Sequence, residues 1–255
     1  MAYLIRFNWS IILLLTIAAC YQIKPQNENS TPVKHTIWNM LLQQHVDSLG
    51  FVNYKGFIND SIQLDTYLEI LSENAPNDRW STNEQLTYWI NLYNAYTIKL
   101  IIKHYPLKSI KDIGASIQIP LLNTPWQIEF IEIGNKYYSL DDVEHNIIRE
   151  NFKEPLIHFA LVCAARSCPK LRNEAYQGET LEVQLTDQFI NFLSDTSKNV
   201  VSKKHIEVSK IFWWFKDDFT KKTSLIEYLN QYAPIEIDVD AQIEYKDYNW
   251  ELNEK

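Results

Sequence analysis

A long helical pattern between Ser81 and Pro106 constrains the fold of this chain more than any other feature. Ser81 and Glu84 have the spacing of a capping box, which marks the start of a helix, and Pro106 ends the pattern. The apolar side chains between them recur at helical intervals: Leu86, Trp89, Ile90, Tyr93, Ile98, Leu100 and Ile101. The pattern predicts one long amphipathic helix.

Shorter patterns on both sides of this helix complete a helix-rich prediction. Further helices are predicted at residues 37–49, 61–72, 141–152, 180–193, 210–219 and 224–233. Extended segments are predicted at residues 51–54, 126–133, 136–140, 205–209 and 243–253. Residues 156–163 are almost continuously apolar, which is typical of a buried strand. Because strands and helices do not alternate regularly, we expect an α+β fold, a single domain around a small sheet whose central strand is 156–163.

The N-terminus has the features of a secretory signal. Arg6 precedes an apolar run from Ile11 to Ile17 that is too short to cross a bilayer. Small residues and Cys20 follow, and this ending resembles the lipobox of bacterial lipoproteins, which implies lipidation at Cys20. The alternative is an ordinary cleaved signal with a chance cysteine. We expect a signal peptide at 1–19, a flexible polar tether at 20–36 and one globular domain at 37–255.

Composition and the predicted signal together limit the partners. A net charge of −8 argues against nucleic acid, because phosphate binding needs clustered Lys and Arg. We expect contact with a membrane through the lipid anchor only, in the bacterial cell envelope, at the outer membrane or facing the periplasm. No cofactor is expected. The chain has 8 Trp and 15 Tyr. Trp213, Trp214 and Trp250 could hold a glycan or peptide ligand, although most tryptophans are core residues.

Two asparagines interrupt the apolar face of the long helix. Asn91 and Asn94 lie three residues apart, and asparagine is unfavourable inside a helix because its amide competes for backbone hydrogen bonds. Buried amides must find partners. They either tie neighbouring backbone to this helix, or orient a catalytic group or substrate carbonyl.

A histidine on the predicted helix 141–152 is a candidate base. Asp141 and Arg149 each lie four residues from His145 and share its face, and Glu144 is adjacent. A histidine held by a carboxylate can act as a general base, although such a residue is more often structural. The spacing differs from that of a zinc-binding HExxH helix, and we expect no metal site.

The stretch IHFALVCAARSCP, residues 157–169, carries a histidine and two cysteines. In a regular strand His158 and Cys163 lie five residues apart and therefore on opposite faces. Cys168 follows the predicted strand, in a loop where reactive groups are usually placed, and Arg166 is expected to lower its pKa. Cys168 is therefore the candidate nucleophile. A Cys163–Cys168 disulfide or redox pair is an equally weighted alternative, because an exported protein can form one.

Several blocks of this chain, in order, resemble the domain-of-unknown-function 547 family. They are YWINLYNAYTIKLI, YPLKSIKDI, SLDDVEHNIIR, IHFALVCAARSCPKLRNEAYQGETLEVQL, VSKIFWWFKDDF and YKDYNWELN. The resemblance spans residues 38–253 and implies one complete domain, but it implies no reaction. The matched positions include Trp89, Asn91, Tyr93, Asn94, Glu144, His145, Arg149, His158, Cys163, Ser167, Cys168 and Pro169.

Two classes of function follow from these residues. The first is a thiol-dependent hydrolase or acyl transferase of the cell envelope. In it Cys168 is the nucleophile, His145 or His158 is the base, and Glu144 or the two asparagines orient that base. The second is a non-catalytic envelope binding module in which Cys163 and Cys168 form a structural disulfide. A dithiol that switches to a disulfide is a third possibility.

Overall fold

The structure is a computed structural model that describes residues 29–114 and 124–255. The predicted signal peptide, Cys20 and the first nine residues of the predicted tether (20–28) lie outside the described residues. In the described part, no helix is both long enough and apolar enough to span a bilayer.

Helices form most of the fold. The α-helices are α1 (Thr36–His45), α2 (Tyr54–Asn59), α3 (Ser61–Glu73), α4 (Thr82–His104), α5 (Glu150–Phe152), α6 (Leu181–Ser194), α7 (Ile211–Trp214), α8 (Lys216–Phe219) and α9 (Leu225–Asn230). A π-helix, Asp142–Arg149, runs directly into α5. Within residues 29–114 and 124–255, 3₁₀ turns lie at Ile110–Asp112, Pro125–Gln127 and Pro155–Phe159.

In the part of the chain that the structure describes, two small sheets lie beside the helices. Strands β1 (Ile131–Ile133) and β2 (Lys136–Tyr138) form an antiparallel hairpin. In the second sheet β4 (His205–Val208) lies in the centre, antiparallel to β3 (Val200–Val201) and parallel to β5 (Gln242–Tyr245). The helix-rich α+β prediction is confirmed.

Helix α4 is the centre of the core. It begins with the predicted capping box, in which Ser81 Oγ accepts from the Glu84 backbone N–H and the Glu84 carboxylate accepts from the Ser81 N–H. Nearly every residue of its middle is buried, so it has no solvent-facing side there. It packs against α2, α3 and the π-helix. Because α4 is buried on all sides, the π-helix and the segment around Ala160 pack against it.

The segment before α1 packs on the body. Ser30 is buried; its hydroxyl donates to the Ala75 carbonyl at 2.8 Å, and its own carbonyl accepts from the Trp80 indole at 2.9 Å. His35 is also buried, with Nδ1 2.7 Å from the Tyr67 hydroxyl. Residues 30–35, predicted as the end of the tether, are therefore held by the folded domain.

The predicted central strand at 156–163 is wrong. Residues Pro155–Phe159 form a 3₁₀ turn, and the chain continues from Ala160 without strand pairing. The segment is buried, as its apolar character indicates, but its walls are helices α4 and α6 rather than neighbouring strands. The predicted strand 126–133 is also shorter than expected, because only its last three residues pair.

The C-terminal tail fastens the loop that carries the cysteines. Arg166 N–H donates to the Glu251 carbonyl at 2.8 Å, and Asn253 N–H donates to the Ala164 carbonyl at 3.1 Å. Asn253 also accepts from the Tyr54 hydroxyl at 2.6 Å. The loop is thus held between the tail and the helical body.

Candidate active site

The two cysteines meet across a tight turn. The sulfur atoms of Cys163 and Cys168 are 2.8 Å apart, and both cysteines are free. The Cys168 sulfur also accepts from the Cys163 backbone N–H at 2.8 Å. Ala164 has a φ of 57°, a left-handed conformation that costs an alanine about 1 kcal/mol. The turn is therefore locally strained at Ala164, and it brings the two sulfur atoms into contact.

The hydrogen bonds of this turn separate the pKa values of the two thiols. Burial acts to raise the pKa of Cys168, but hydrogen bonds from the Cys163 thiol, the Cys163 N–H and the Tyr248 hydroxyl outweigh it and lower the pKa. Burial and the neighbouring Cys168 sulfur raise the pKa of Cys163 well above its ordinary value. Cys168 is therefore the sulfur that ionises first.

Cys168 is less accessible than expected for a loop residue. It is 4% exposed, whereas Cys163 is partly exposed. The Nε atom of Arg166, a residue expected to lower the pKa of Cys168, instead lies 3.6 Å from Glu251 Oε2 on the surface, and hydrogen bonds from Cys163 and Tyr248 lower that pKa. That expectation was wrong because the turn directs the arginine toward the C-terminal tail.

Of the two candidate bases, His158 is the one that hydrogen-bonds to a carboxylate. Its Nε2 lies 2.8 Å from Asp218 Oδ2, which also accepts from Arg149 Nε at 2.7 Å. The ring stacks on Phe215, with centroids 3.8 Å apart. Hydrogen bonds from His158 and Arg149 hold the pKa of Asp218 well below its usual range. Burial lowers the pKa of His158 despite the adjacent carboxylate, so the ring is a neutral base with a fixed orientation.

The other nitrogen of His158 faces a protonatable carboxyl. His158 Nδ1 is buried without a hydrogen-bond partner, 3.8 Å from Glu144 Oε1. Glu144 accepts from the Tyr93 hydroxyl at 3.2 Å. Burial raises the pKa of Glu144 to about 7, opposed by the Tyr93 hydrogen bond. A carboxyl of this kind can give or take a proton near neutral pH.

His145 is held by an arginine rather than by the expected carboxylate. Its Nδ1 accepts from Arg149 at 2.9 Å. Burial, together with the charge of Arg149, lowers the pKa of His145 to about 4. The π-helix begins at a capping box in which Ser139 and Asp142 hydrogen-bond to each other. Its wider turn differs from the α-helix assumed when one face was assigned to Asp141, His145 and Arg149.

Asn91 and Asn94 bind backbone and do not line the site cavity. Asn94 donates to the Ala160 carbonyl at 2.9 Å and accepts from the Val162 N–H at 3.0 Å. Asn91 makes the same pair of bonds with the backbone of Tyr176, at 2.9 and 3.1 Å. Both side chains are fully buried. Asn94 thus holds the segment between His158 and Cys163, which is a positioning role.

One cavity of about 400 Å³ unites these groups. Its lining includes Tyr93, Asp141, Glu144, His145, His158, Cys163 and Cys168, and the apolar or aromatic residues Trp126, Leu161, Pro169, Ile211, Trp214, Phe215, Tyr248 and Trp250. His158 and Cys163, expected on opposite faces of a strand, both line it, because the segment is not a strand. Trp213, proposed as a ligand contact, is not in the lining.

The residues of this site that could not be singled out from the sequence include one hydrogen-bond partner of His158 and one of Cys163. Asp218 lies 60 positions from His158, and nothing in the letters FKDDF distinguishes it from its acidic neighbour. Tyr248 lies in the C-terminal tail, with its hydroxyl 3.2 Å from the Cys163 sulfur. The C-terminal block YKDYNWELN, noted for its resemblance, was the only signal that could have drawn attention to Tyr248.

A second group of side chains could bind a metal. Ligand atoms of His205, Glu207 and Glu244, on β4 and β5, lie within 4.8 Å of one another. The group is partly exposed, and His205 Nε2 lies 3.4 Å from Glu244 Oε1. Because exposed acidic side chains commonly cluster without an ion, we assign no function to this group.

A comparison with protein families matches residues 77–193 to a family model described as a protein of unknown function, DUF547. The matched segment runs from just before α4 to the end of α6, and it contains Glu144, His158, Cys163 and Cys168. The match supports the family resemblance over this segment and gives no activity. Comparisons with curated proteins and with solved structures found no match.

Proposed function

We propose that this protein is a thiol-dependent hydrolase or acyl transferase. The observation that carries the proposal is the shared cavity, which combines a thiol of lowered pKa, a buried histidine held by a carboxylate, and a second carboxyl that titrates near neutrality. This is the combination of nucleophile, base and orienting group that covalent catalysis requires.

The residues have separate roles in this proposal. Cys168 attacks the carbonyl carbon of an ester, thioester or amide. His158 receives and returns the proton, with Asp218 and the stacked Phe215 fixing its ring. Glu144 exchanges a proton with the leaving group or water. His145, whose Nδ1 accepts a hydrogen bond from Arg149 and whose lowered pKa keeps the ring uncharged at neutral pH, lines the cavity.

Alkylation of the folded, reduced protein tests this proposal. Iodoacetamide is expected to modify Cys168, as mapped by mass spectrometry of peptides, and Cys168→Ser is expected to abolish both this label and any ester hydrolysis. Cys163→Ser is the matched control, since its hydroxyl can still donate to the Cys168 sulfur. A Cys168 that stays unlabelled until the protein unfolds would exclude it as the nucleophile.

The contact between the two sulfur atoms favours a second candidate function, that of a reversible dithiol–disulfide pair. Mass spectrometry of the non-reduced protein separates the candidates. A complete disulfide with a reduction potential in the range of structural bridges would favour the non-catalytic binding module instead.

The envelope location is a separate proposal that rests on the sequence around Cys20. The chain is expected to carry acyl chains at Cys20, which anchor it to a membrane of the cell envelope. Metabolic labelling with an alkynyl fatty acid is expected to tag the wild-type protein and not Cys20→Ser, and cell fractionation should release only the variant. Equal labelling of both proteins would refute the anchor.

A further inference from the structure

Four aromatic rings form a continuous surface from the thiols to the outside. We call Trp126, Trp214, Tyr248 and Trp250 the aromatic wall. Tyr248 lies 4.8 Å from Trp214 and 4.6 Å from Trp250 between ring centroids, and Trp250 lies 5.6 Å from Trp126. The inner end is the Tyr248 hydroxyl, 3.2 Å from the Cys163 sulfur, and at the outer end Trp214 is 40% exposed.

The remaining lining adds apolar surface rather than binding groups for polar ligands. Leu161, Pro169, Ile211 and Phe215 also line the cavity. Together with the wall they give the cavity the predominantly hydrophobic character of a small-molecule site, which a smaller number of polar groups completes.

Charge and hydrogen bonding further limit the chemical class of ligand that the cavity can bind. Among the described residues that line the cavity, none is Lys or Arg, and the carboxyl groups are those of Asp141 and Glu144. Lys111 Nζ lies 3.8 Å from the centre of the Trp250 ring but outside the lining, so an anionic ligand would face the carboxyl groups of Asp141 and Glu144 without a cationic side chain in the lining. Near the wall, Thr124 and Gln127 are engaged with each other, because the Thr124 N–H donates to the Gln127 side-chain oxygen at 3.1 Å in a cap of the Pro125–Gln127 turn.

We propose that the aromatic wall binds a neutral, apolar acyl group whose ester or thioester carbonyl reaches the thiol pair. This inference rests on the proposed function and names its substrate class. The Cys168 thiolate forms a bond to the carbonyl carbon, the bond to the leaving oxygen or sulfur breaks, and that atom takes a proton held by His158 or Glu144. Water, after giving a proton to His158, attacks the resulting thioester and releases the carboxylic acid and the thiolate.

Binding to a variant without thiols tests the ligand class separately from catalysis. In the Cys163→Ser/Cys168→Ser protein, tryptophan fluorescence is expected to report binding of 1-octanol at least tenfold tighter than binding of octanoate or methyl β-glucoside. Equal or tighter binding of octanoate would overturn neutrality, and tighter binding of the glucoside would make the wall a sugar site. Absence of 1-octanol binding would overturn the inference.

A matched pair of tryptophans locates the binding. Trp214 is in the wall, whereas the adjacent Trp213 is 59% exposed and does not line the cavity. Trp214→Ala is expected to weaken 1-octanol binding at least fivefold, and Trp213→Ala to leave it within twofold. Equal effects of both substitutions would overturn the assignment.

Ester hydrolysis distinguishes failure of this inference from failure of the proposed function. For p-nitrophenyl esters, kcat/KM is expected to rise at least tenfold from acetate to octanoate, because each buried methylene can add up to about fourfold. Hydrolysis that is independent of chain length would overturn this inference and retain the proposed function. Binding of 1-octanol without hydrolysis of any ester would retain the assigned ligand class and overturn the proposed function.

Discussion

At the scale of single residues, burial reverses the usual order of the pKa values of Glu144 and His158. Burial raises the pKa of Glu144 to about 7 and lowers that of His158, so protonated carboxyl and neutral imidazole coexist near neutral pH. Asp218, which holds the other side of His158, stays ionised. The pair Glu144 and His158 is therefore prepared for proton transfer without bearing opposite charges.

Replacing Glu144 by glutamine is expected to change how stability depends on pH. The folded pKa of about 7 lies above the ordinary value of 4.5, so folding favours the protonated carboxyl. The contribution of the protonated Glu144 carboxyl to the free energy of unfolding is present below pH 4.5 and is lost as the pH rises through 7. Because the side chain is only 12% exposed, the loss can reach about 3 kcal/mol.

Urea denaturation at a series of pH values measures this effect. The unfolding free energy of the wild type is expected to fall relative to Glu144→Gln between pH 4.5 and 8. Glu182→Gln, at an exposed position on α6, is the control and should follow the wild type. A constant difference between wild type and Glu144→Gln across this range would contradict the raised pKa.

At the scale of elements, α4 was predictable from sequence and the segment 156–163 was not. The capping box and apolar repeat of α4 are local signals, and they survive in the fold. A short apolar run, by contrast, indicates burial without indicating conformation. Pro155 starts a 3₁₀ turn there, and distant partners such as Asn94 supply the hydrogen bonds that a neighbouring strand would have given.

The asparagines of α4 allow a matched test of how the site segment is held. Asn94→Ala leaves the Ala160 carbonyl and the Val162 N–H unpaired in the interior, which is expected to destabilise the fold by about 2–4 kcal/mol. Asn91→Ala removes an equivalent pair of bonds to Tyr176 and should destabilise it similarly.

Only Asn94→Ala should also slow the alkylation of Cys168, measured at a temperature where both variants are folded. The reason is that its partners lie between His158 and Cys163, whereas Tyr176 lies outside the cavity. Similar alkylation rates in the two variants would refute a positioning role for Asn94.

At the scale of the whole molecule, the site is assembled from segments far apart in the chain. The π-helix supplies Glu144, the turn after Phe159 supplies the cysteines, α8 supplies Asp218, and the C-terminal tail supplies Tyr248. Sequence analysis identified the chemistry-bearing residues of the first two segments, because a histidine and cysteines are conspicuous in an apolar run. Sequence patterns did not identify Asp218, Trp126 or Tyr248, and they did not distinguish Trp214 and Trp250 from Trp213. The reason is that these roles depend on long-range packing, which leaves no local pattern.

The most direct test of the account is the pH dependence of Cys168 alkylation in the folded, reduced protein. We expect Cys168 to react with half-maximal rate at a pH below 9.0, the ordinary pKa of a cysteine thiol. His158→Asn and Asp218→Asn are expected to change the rate and its pH profile, while Cys163 reacts only at higher pH. A Cys168 that titrates at or above 9.0, or that reacts only on unfolding, would contradict the central claim.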